Sequence, residues 1–247
     1  MRGVSVGSMR DQSTVVVESV NWTAQPGDYW VIAGVQGSGK SDILLMTGGV
    51  MAPISGEYYL FGQRMPIFDE SRLRHRLRMG LVFDGGQLFN HLTVAENIAL
   101  PLRYHQNDSE DGASIQRILD RMELSQWADS TPGAIGRNWQ KRVGLARALA
   151  LKPELLLIDT PLNGLDLRHI TWWLQFLDEL SRGSELNGGQ PVTLVVSGAD
   201  LRPWKGRANR FAILQDKKLI VLGAWDEIES ANQELLRDVL AASPYHE

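Results

Sequence analysis

The chain has 247 residues, 43% hydrophobic and 22% charged, a composition that buries an ordinary core and excludes both a stapled mini-fold and a disordered polymer. Its 25 Lys and Arg against 29 Asp and Glu give a formal net charge of −4, so no global basic field draws it to nucleic acid or to an anionic membrane. It has no cysteine, hence no disulfide or thiolate metal site, and no apolar run near the about 18 residues of a membrane span.

Residues 1–12 lack the apolar block of a signal peptide, which predicts a cytoplasmic protein that reaches a membrane only through a partner. Residues 14–23, ending in Pro26 and Gly27, predict antiparallel edge strands and a turn. Residues 29–33 form a continuous apolar run, a buried strand, and residues 42–46 continue into a helix. Residues 57–61 are a β-rich run between glycines. Arg72, Arg74, Arg76 and Arg78, with His75 among them, make one dense basic patch; on a helix that spacing spreads the charges over several faces, which predicts a solvated surface helix.

Residues 79–83, 155–158, 192–196 and 211–214 are further buried strands. Continuous apolar runs, each followed by helix, indicate a parallel sheet covered on both faces. Between residues 84 and 149 the texture changes to polar loop and helix without a buried strand, an inserted helical segment. Trp172 and Trp173, with Leu174, Phe176 and Leu177, lie at helical spacing and predict core or dimer packing. Residues 224–240 read as two short helices with a weak apolar stripe of Trp225, Ile228, Leu235, Leu236 and Leu240.

Gly34, Val35, Gln36, Gly37, Ser38, Gly39, Lys40 and Ser41 complete G-x-x-x-x-G-K-[ST] directly after a strand and at the opening of a helix, which continues with Asp42. Glycines let backbone N–H groups turn inward around an anion, and the helix N-terminus adds partial positive charge. Lys40 then reaches the β- and γ-phosphates, and the Ser41 hydroxyl ligates Mg²⁺. Such a loop needs a carboxylate at the end of a buried strand to hold the metal, and Asp159 supplies it.

With these motifs in order, the chain resembles the ATP-binding cassette (ABC) transporter ATPases over nearly its whole length. Residues 155–166, LLLIDTPLNGLD, resemble the family's Walker B and D-loop, with Gly164, Leu165 and Asp166 at the D-loop. Residues 141–149, KRVGLARAL, resemble the helix that follows the signature. Residues 82–98 resemble the Q-loop region and the start of the permease-docking arm, and residues 99–103 are most similar to the importer and Mce/Mla lipid-transport branches.

The resemblance implies an α/β P-loop NTPase fold: a RecA-like parallel-sheet core with an antiparallel β subdomain, from residues 1–83 and 150–247, and an inserted helical subdomain with the signature helix, residues 84–149, in one cassette. It implies ATP and Mg²⁺ as ligands and a head-to-tail pair with a second cassette, homo- or heterodimeric. It further implies a transmembrane permease partner and a peripheral place on the inner face of the cytoplasmic membrane, with no nucleic-acid partner and no direct insertion.

Five positions depart from the family pattern. Thr160 stands where a Glu activates water. Ile135, Gly136, Arg137, Asn138 and Trp139 replace the L-S-G-G-Q signature, and Arg137 offers either a cation to a γ-phosphate or a solvated side chain. Gly198 or Ala199 stands at the switch histidine. Asp84 occupies the Q-loop glutamine position, with Gln87 three residues on, and serves there either as a Mg²⁺ ligand or as a repelling charge. No aromatic residue in 4–17 is available to stack on adenine; Trp22 and Trp30 read as core residues. The departures predict a transporter subunit with weak or absent hydrolysis. The alternatives are an active ATPase with substitute residues, Asp84 or Asp200 acting as base, and a nucleotide-bound scaffold that regulates a membrane complex.

Overall fold

The computed structural model describes residues 1–65, 73–105 and 112–231. Its centre is a six-stranded sheet in the order β11-β10-β3-β9-β8-β7. These strands are β3 (Tyr29–Ala33), β7 (Met79–Val82), β8 (Leu155–Ile158), β9 (Thr193–Gly198), β10 (Arg210–Gln215) and β11 (Lys218–Gly223). All neighbours pair in parallel except β11, which runs antiparallel to β10. All five residues of β3 and all four of β8 are buried, as a strand covered on both faces requires.

Alternate residues of each strand feed different cores. Val31, Ala33, Leu156, Ile158, Leu194, Val196 and Phe211 pack with α3 (Val94–His105), α4 (Gly112–Arg121), α5 (Arg137–Leu149) and α6 (Leu167–Arg182). Trp30, Ile32, Leu155, Leu157, Val195 and Ala212 pack on the opposite face against α1 (Lys40–Thr47) and an antiparallel sheet. That second sheet has the order β2-β1-β4, formed by β1 (Arg2–Gly7), β2 (Val15–Val20) and β4 (Pro53–Glu57). A short hairpin joins β5 (Tyr59–Leu60) to β6 (Gln63–Arg64). The fold is thus the expected P-loop architecture, a mixed sheet with an antiparallel β portion and helices on both sides.

Four strands lie outside the sequence reading: β1, β6, β11 at the sheet's edge, and β4, of which only Glu57 falls in the run 57–61, whose Tyr59 and Leu60 form β5. Trp22 and Trp30 are buried and meet edge to face with centroids 5.7 Å apart, as core residues do. Short α2 (Leu73–Leu77) carries part of the basic patch, while Arg72 lies outside the described residues. Arg74 is exposed, but Arg78 is not simply solvated. Its guanidinium grips Glu154 with two bonds of 2.6 Å and lies 3.9 Å over the Phe61 ring.

Trp173 is fully buried, and Trp172 stacks on Phe176 at 4.9 Å. The terminal reading holds as far as α7 (Trp225–Ala231), where Trp225 packs on Phe211; Leu235, Leu236 and Leu240 lie outside the described residues. Among the described residues no helix is long and apolar enough to cross a membrane.

The parallel register brings four chain segments to one edge of the sheet. Ala33 pairs with Gly198, Val196 with Ile158, and Ile158 with Val82. Gly34, Asp159 and, two residues past Val82, Asp84 therefore emerge at the C-terminal ends of the strands, with β9 between the first two, where open α/β sheets bind ligands.

Candidate nucleotide site

The loop after β3 is shaped by its glycines. Gly37 and Gly39 have φ of +82° and +97°, a region side chains resist. At Gly39 a Cβ would also meet Val17 Cγ2 at 2.9 Å. Gly39 is the N-cap of α1, and no side chain caps that helix, so the first-turn amides face outward as an anion cradle. Val35, Gln36, Gly37 and Ser41 are exposed, whereas Lys40 is buried.

The Lys40 ammonium donates to the Gly34 and Val35 carbonyls at 2.5 and 2.7 Å, folded back over the seat it would share with a phosphate. Burial holds it below the usual lysine range, and the Asp159 charge partly offsets this. Lys40 and Asp159 thus lie close enough for their opposite charges to interact. Ser41 and Asp159 carry oxygen donors of the kind Mg²⁺ takes, and would hold that ion if it is bound with phosphate and water. Asp42 turns instead to the N-terminal segment, where its Oδ1 accepts from the Met9 amide at 2.7 Å.

Behind the loop, Ser197 is a residue the sequence reading missed. Its hydroxyl is wholly buried and donates to Asp159 Oδ1 at 2.6 Å, while it accepts from the Thr160 amide at 2.9 Å. It fixes the carboxylate and the next peptide together. Thr160 has φ of +42°, an unusual conformation for a β-branched residue that costs about 1–2 kcal/mol. Neighbouring Gly198 accepts from the Gly34 amide at 3.2 Å, which ties the two loops. Ala199 is exposed, and Asp200 accepts from the Arg202 backbone amide and Nε at 2.9 and 2.7 Å.

Asp84 lies 3.0 Å from the ammonium of Lys141. That ammonium also donates to the carbonyls of Thr160 and Asn163, at 3.0 and 2.8 Å. The signal for Lys141 is in the sequence: it and Arg142 interrupt a stretch of α5 whose neighbours at 143–146 are all buried, and a charge on a buried face needs partners.

The residues of the signature-like segment take different surroundings, and no side chain caps the helix they open. Ile135 is buried, Gly136 caps α5 in an extended conformation, and Arg137 is exposed at the first turn. Asn138 leans toward Asp166, 3.4 Å away. Trp139 meets His169 edge to face at 5.2 Å. The fully buried Arg142 is sandwiched between Trp139 and Trp172, with its carbon 4.6 and 3.8 Å from the ring centres. It bonds Glu123 at 2.8 Å and His169 Nδ1 at 3.1 Å. Burial first, and the Arg142 charge second, hold the His169 imidazole below its ordinary value of 6.5.

In the D-loop, Gly164 takes a φ of +72°. Leu165 packs partly against the main core, and Asp166 caps α6 by accepting from the His169 amide at 2.9 Å. The structure therefore joins the D-loop to the signature-like segment within one chain.

The profile of the family described as ABC transporter matches residues 17–163, the span that holds the phosphate loop, the α5 segment and Asp159. The chain belongs to the ABC transporter family of ATP-binding cassettes. The cassette is 30% identical over 228 residues to the intermembrane phospholipid transport ATP-binding protein MlaF of Escherichia coli K12, covering 91% of this chain and 82% of that one. It is 32% identical over 226 residues to a probable sulfate/thiosulfate import ATP-binding protein CysA of Chlorella vulgaris, covering 90% of each. Against the methionine import protein MetN of Lacticaseibacillus paracasei the identity is 29% over 233 residues, with 94% of this chain and 65% of that protein covered.

Among solved structures, the dimeric post-hydrolysis state of the cassette MJ0796 bound to ADP and Pi superposes with a TM-score of 0.77 at 27% identity, over 88% of this chain and 94% of that one. The cbiO1 subunit from Clostridium perfringens matches in fold with a TM-score of 0.74 at 20% identity, over 97% of this chain and 93% of that one.

Proposed function

We propose that this cassette is a transporter subunit that binds MgATP at its own phosphate loop yet hydrolyses it slowly or not at all by itself, working beside a second cassette and a separate permease. The observation that carries the reading is the contrast between an open phosphate loop and Thr160, a hydroxyl immediately after Asp159. A hydroxyl is no base at neutral pH, and the loss of a general base costs about 10²–10⁴ in rate.

Neither neighbouring carboxylate stands ready to replace it. Asp84 is paired with Lys141 and Asp200 with Arg202, which weighs against an active ATPase built on substitute residues. In this reading the amides of 37–41 would hold the phosphates, Lys40 would exchange the Gly34 and Val35 carbonyls for a phosphate oxygen, and Ser41 and Asp159 would hold Mg²⁺. Bound Mg²⁺ would supply charge neutralisation between the phosphates.

The dimeric MJ0796 relative supports a cassette partner. The exposed aromatic residues Phe89 and Tyr104, on and beside α3, support docking of the arm on a permease at the inner face of the membrane. A phospholipid cargo is supported by the MlaF relative and by the likeness of residues 87–103 to that branch.

The test measures ATP turnover with the partners present. The unmodified assembly is expected to hydrolyse no faster through this site than a Lys40→Ala control, and Thr160→Glu to raise the rate at least about tenfold. Turnover through this site that already matches the Thr160→Glu rate without the substitution rules the reading out. Intact ATP binding with no gain from Thr160→Glu favours the regulatory scaffold.

A further inference from the structure

The helical arm and the nucleotide pocket meet at one buried ammonium. Lys141, with 8% of its side chain exposed, projects from the second turn of α5. It has three donors, and the structure supplies three acceptors: the Asp84 carboxylate after β7, and the Thr160 and Asn163 carbonyls after β8. A lysine filled in this way has no capacity left for a ligand, so its work is on the loops it joins.

A second set of contacts, independent of Lys141, fastens the same loop to the same helix. Arg147, two turns further along α5, donates to the carbonyls of Gly86 and Gln87 at 2.8 and 3.0 Å. The backbones touch between them: a Cβ on Gly86 would fall 2.4 Å from the Gln140 carbonyl oxygen, and one on Gly144 would fall 2.7 Å from the Gly86 Cα. Residues 84–87 are thus welded along α5, and Lys141 is the point where that weld reaches the loop carrying Asp159 and Thr160.

The charges account for the pairing. Asp84 and the peptide next to Asp159 share one ammonium, so a bare Asp84 would place a second carboxylate beside the metal and phosphate region. Lys141 cancels it. We propose that Lys141 is a positioning residue: it neutralises Asp84 and ties the loop 160–163 to α5, so that nucleotide occupancy and the conformation of the helical arm change together. The proposal rests on the reading of the phosphate loop as an ATP site, and it makes Asp84 a charge partner of the arm in the resting chain, neither a metal ligand nor a base.

The experiment measures ATP affinity of the full chain, in EDTA and in excess Mg²⁺. Lys141→Gln exposes the Asp84 charge and is expected to weaken ATP binding about tenfold in EDTA and less in Mg²⁺, which masks it. The double variant Asp84→Asn/Lys141→Gln is expected to return to within about twofold of the parent, a rescue that lost packing alone does not give. Equal weakening in both media, without rescue, overturns the proposal. If thermal melts show Lys141→Gln unfolded, Asp84→Asn alone decides: tighter binding in EDTA supports the assignment, while weaker binding confined to Mg²⁺ makes Asp84 a metal ligand and overturns it.

Hydrogen exchange supplies a readout independent of affinity. At saturating ATP the parent is expected to gain protection in residues 84–105, and the double variant, which binds ATP but lacks the tie, to lose that gain. The same protection in both refutes the coupling. Absence of Lys40-dependent ATP binding in the parent removes the nucleotide reading itself, and the proposal with it.

Discussion

Two helices begin beside the same edge of the sheet, and they begin in opposite ways. α1 opens from a glycine in the left-handed region, with no side-chain cap and its first-turn amides facing out. α5 opens from an extended glycine followed by Arg137, Asn138 and Trp139, and the last two are engaged with Asp166 and His169. Both N-termini carry the same partial charge. Neither has a side-chain cap; what separates them is the first turn, with Gly37 and Ser41 exposed around the open end and Asn138 and Trp139 turned onto Asp166 and His169 at the closed one.

The largest effect tests the open end. Lys40→Ala should weaken ATP binding by about 10²–10³-fold, the scale of one or two hydrogen bonds to charged groups, while leaving the melting temperature nearly unchanged. Titration with a fluorescent ATP analogue checks it, and a loss below threefold would erase the contrast between the two ends.

The closed end should answer in stability. Arg142→Ala removes a buried cation from between two indoles and leaves Glu123 and His169 without their partner. Because Glu123 is half exposed, the expected cost is about 2–3 kcal/mol, below that of a fully buried pair. Urea unfolding measures it, with ATP affinity of the folded variant expected to stay within about threefold.

The smallest effect is a pH dependence at the same cluster. The folded-state pKa of His169 lies below its ordinary 6.5. In the interval between the two values the unfolded chain binds the proton and the native chain does not, so this contribution is present above pH 6.5 and is lost as pH falls below it. The parent's urea midpoint should therefore drop more steeply between pH 7 and pH 5.5 than that of His169→Gln.

The open end was legible from the sequence because its chemistry is local: one glycine-rich loop between a buried strand and a helix names its own residues. The buried strands β3, β7, β8, β9 and β10 were legible for the same reason, each being a continuous apolar run. β11 was not, since an edge strand with four partly or fully exposed apolar residues has no clear pattern, and Pro53 and Gly56 hide β4. At the closed end the residues Ile135 to Trp139 were legible as a departure, but not what they and their neighbours touch. The ties from Lys141 to Asp84 and from Arg142 to His169 join residues far apart in the chain, and only the fold brings them together. The substitution of Asp84 for the expected glutamine was visible in the sequence; its partner was not.

The Lys40 ammonium, bonded to Gly34 and Val35, gives the loop a kinetic character of its own. A ligand does not arrive at a bare charge: the cation is already satisfied, and two carbonyl bonds must be exchanged for phosphate contacts before the complex settles. The observed association rate should then level off at high nucleotide concentration, at the speed with which the side chain lets go. The loop stays open to solvent while its lysine is already bonded, so the slow step would be the release of that side chain and not the entry of the ligand.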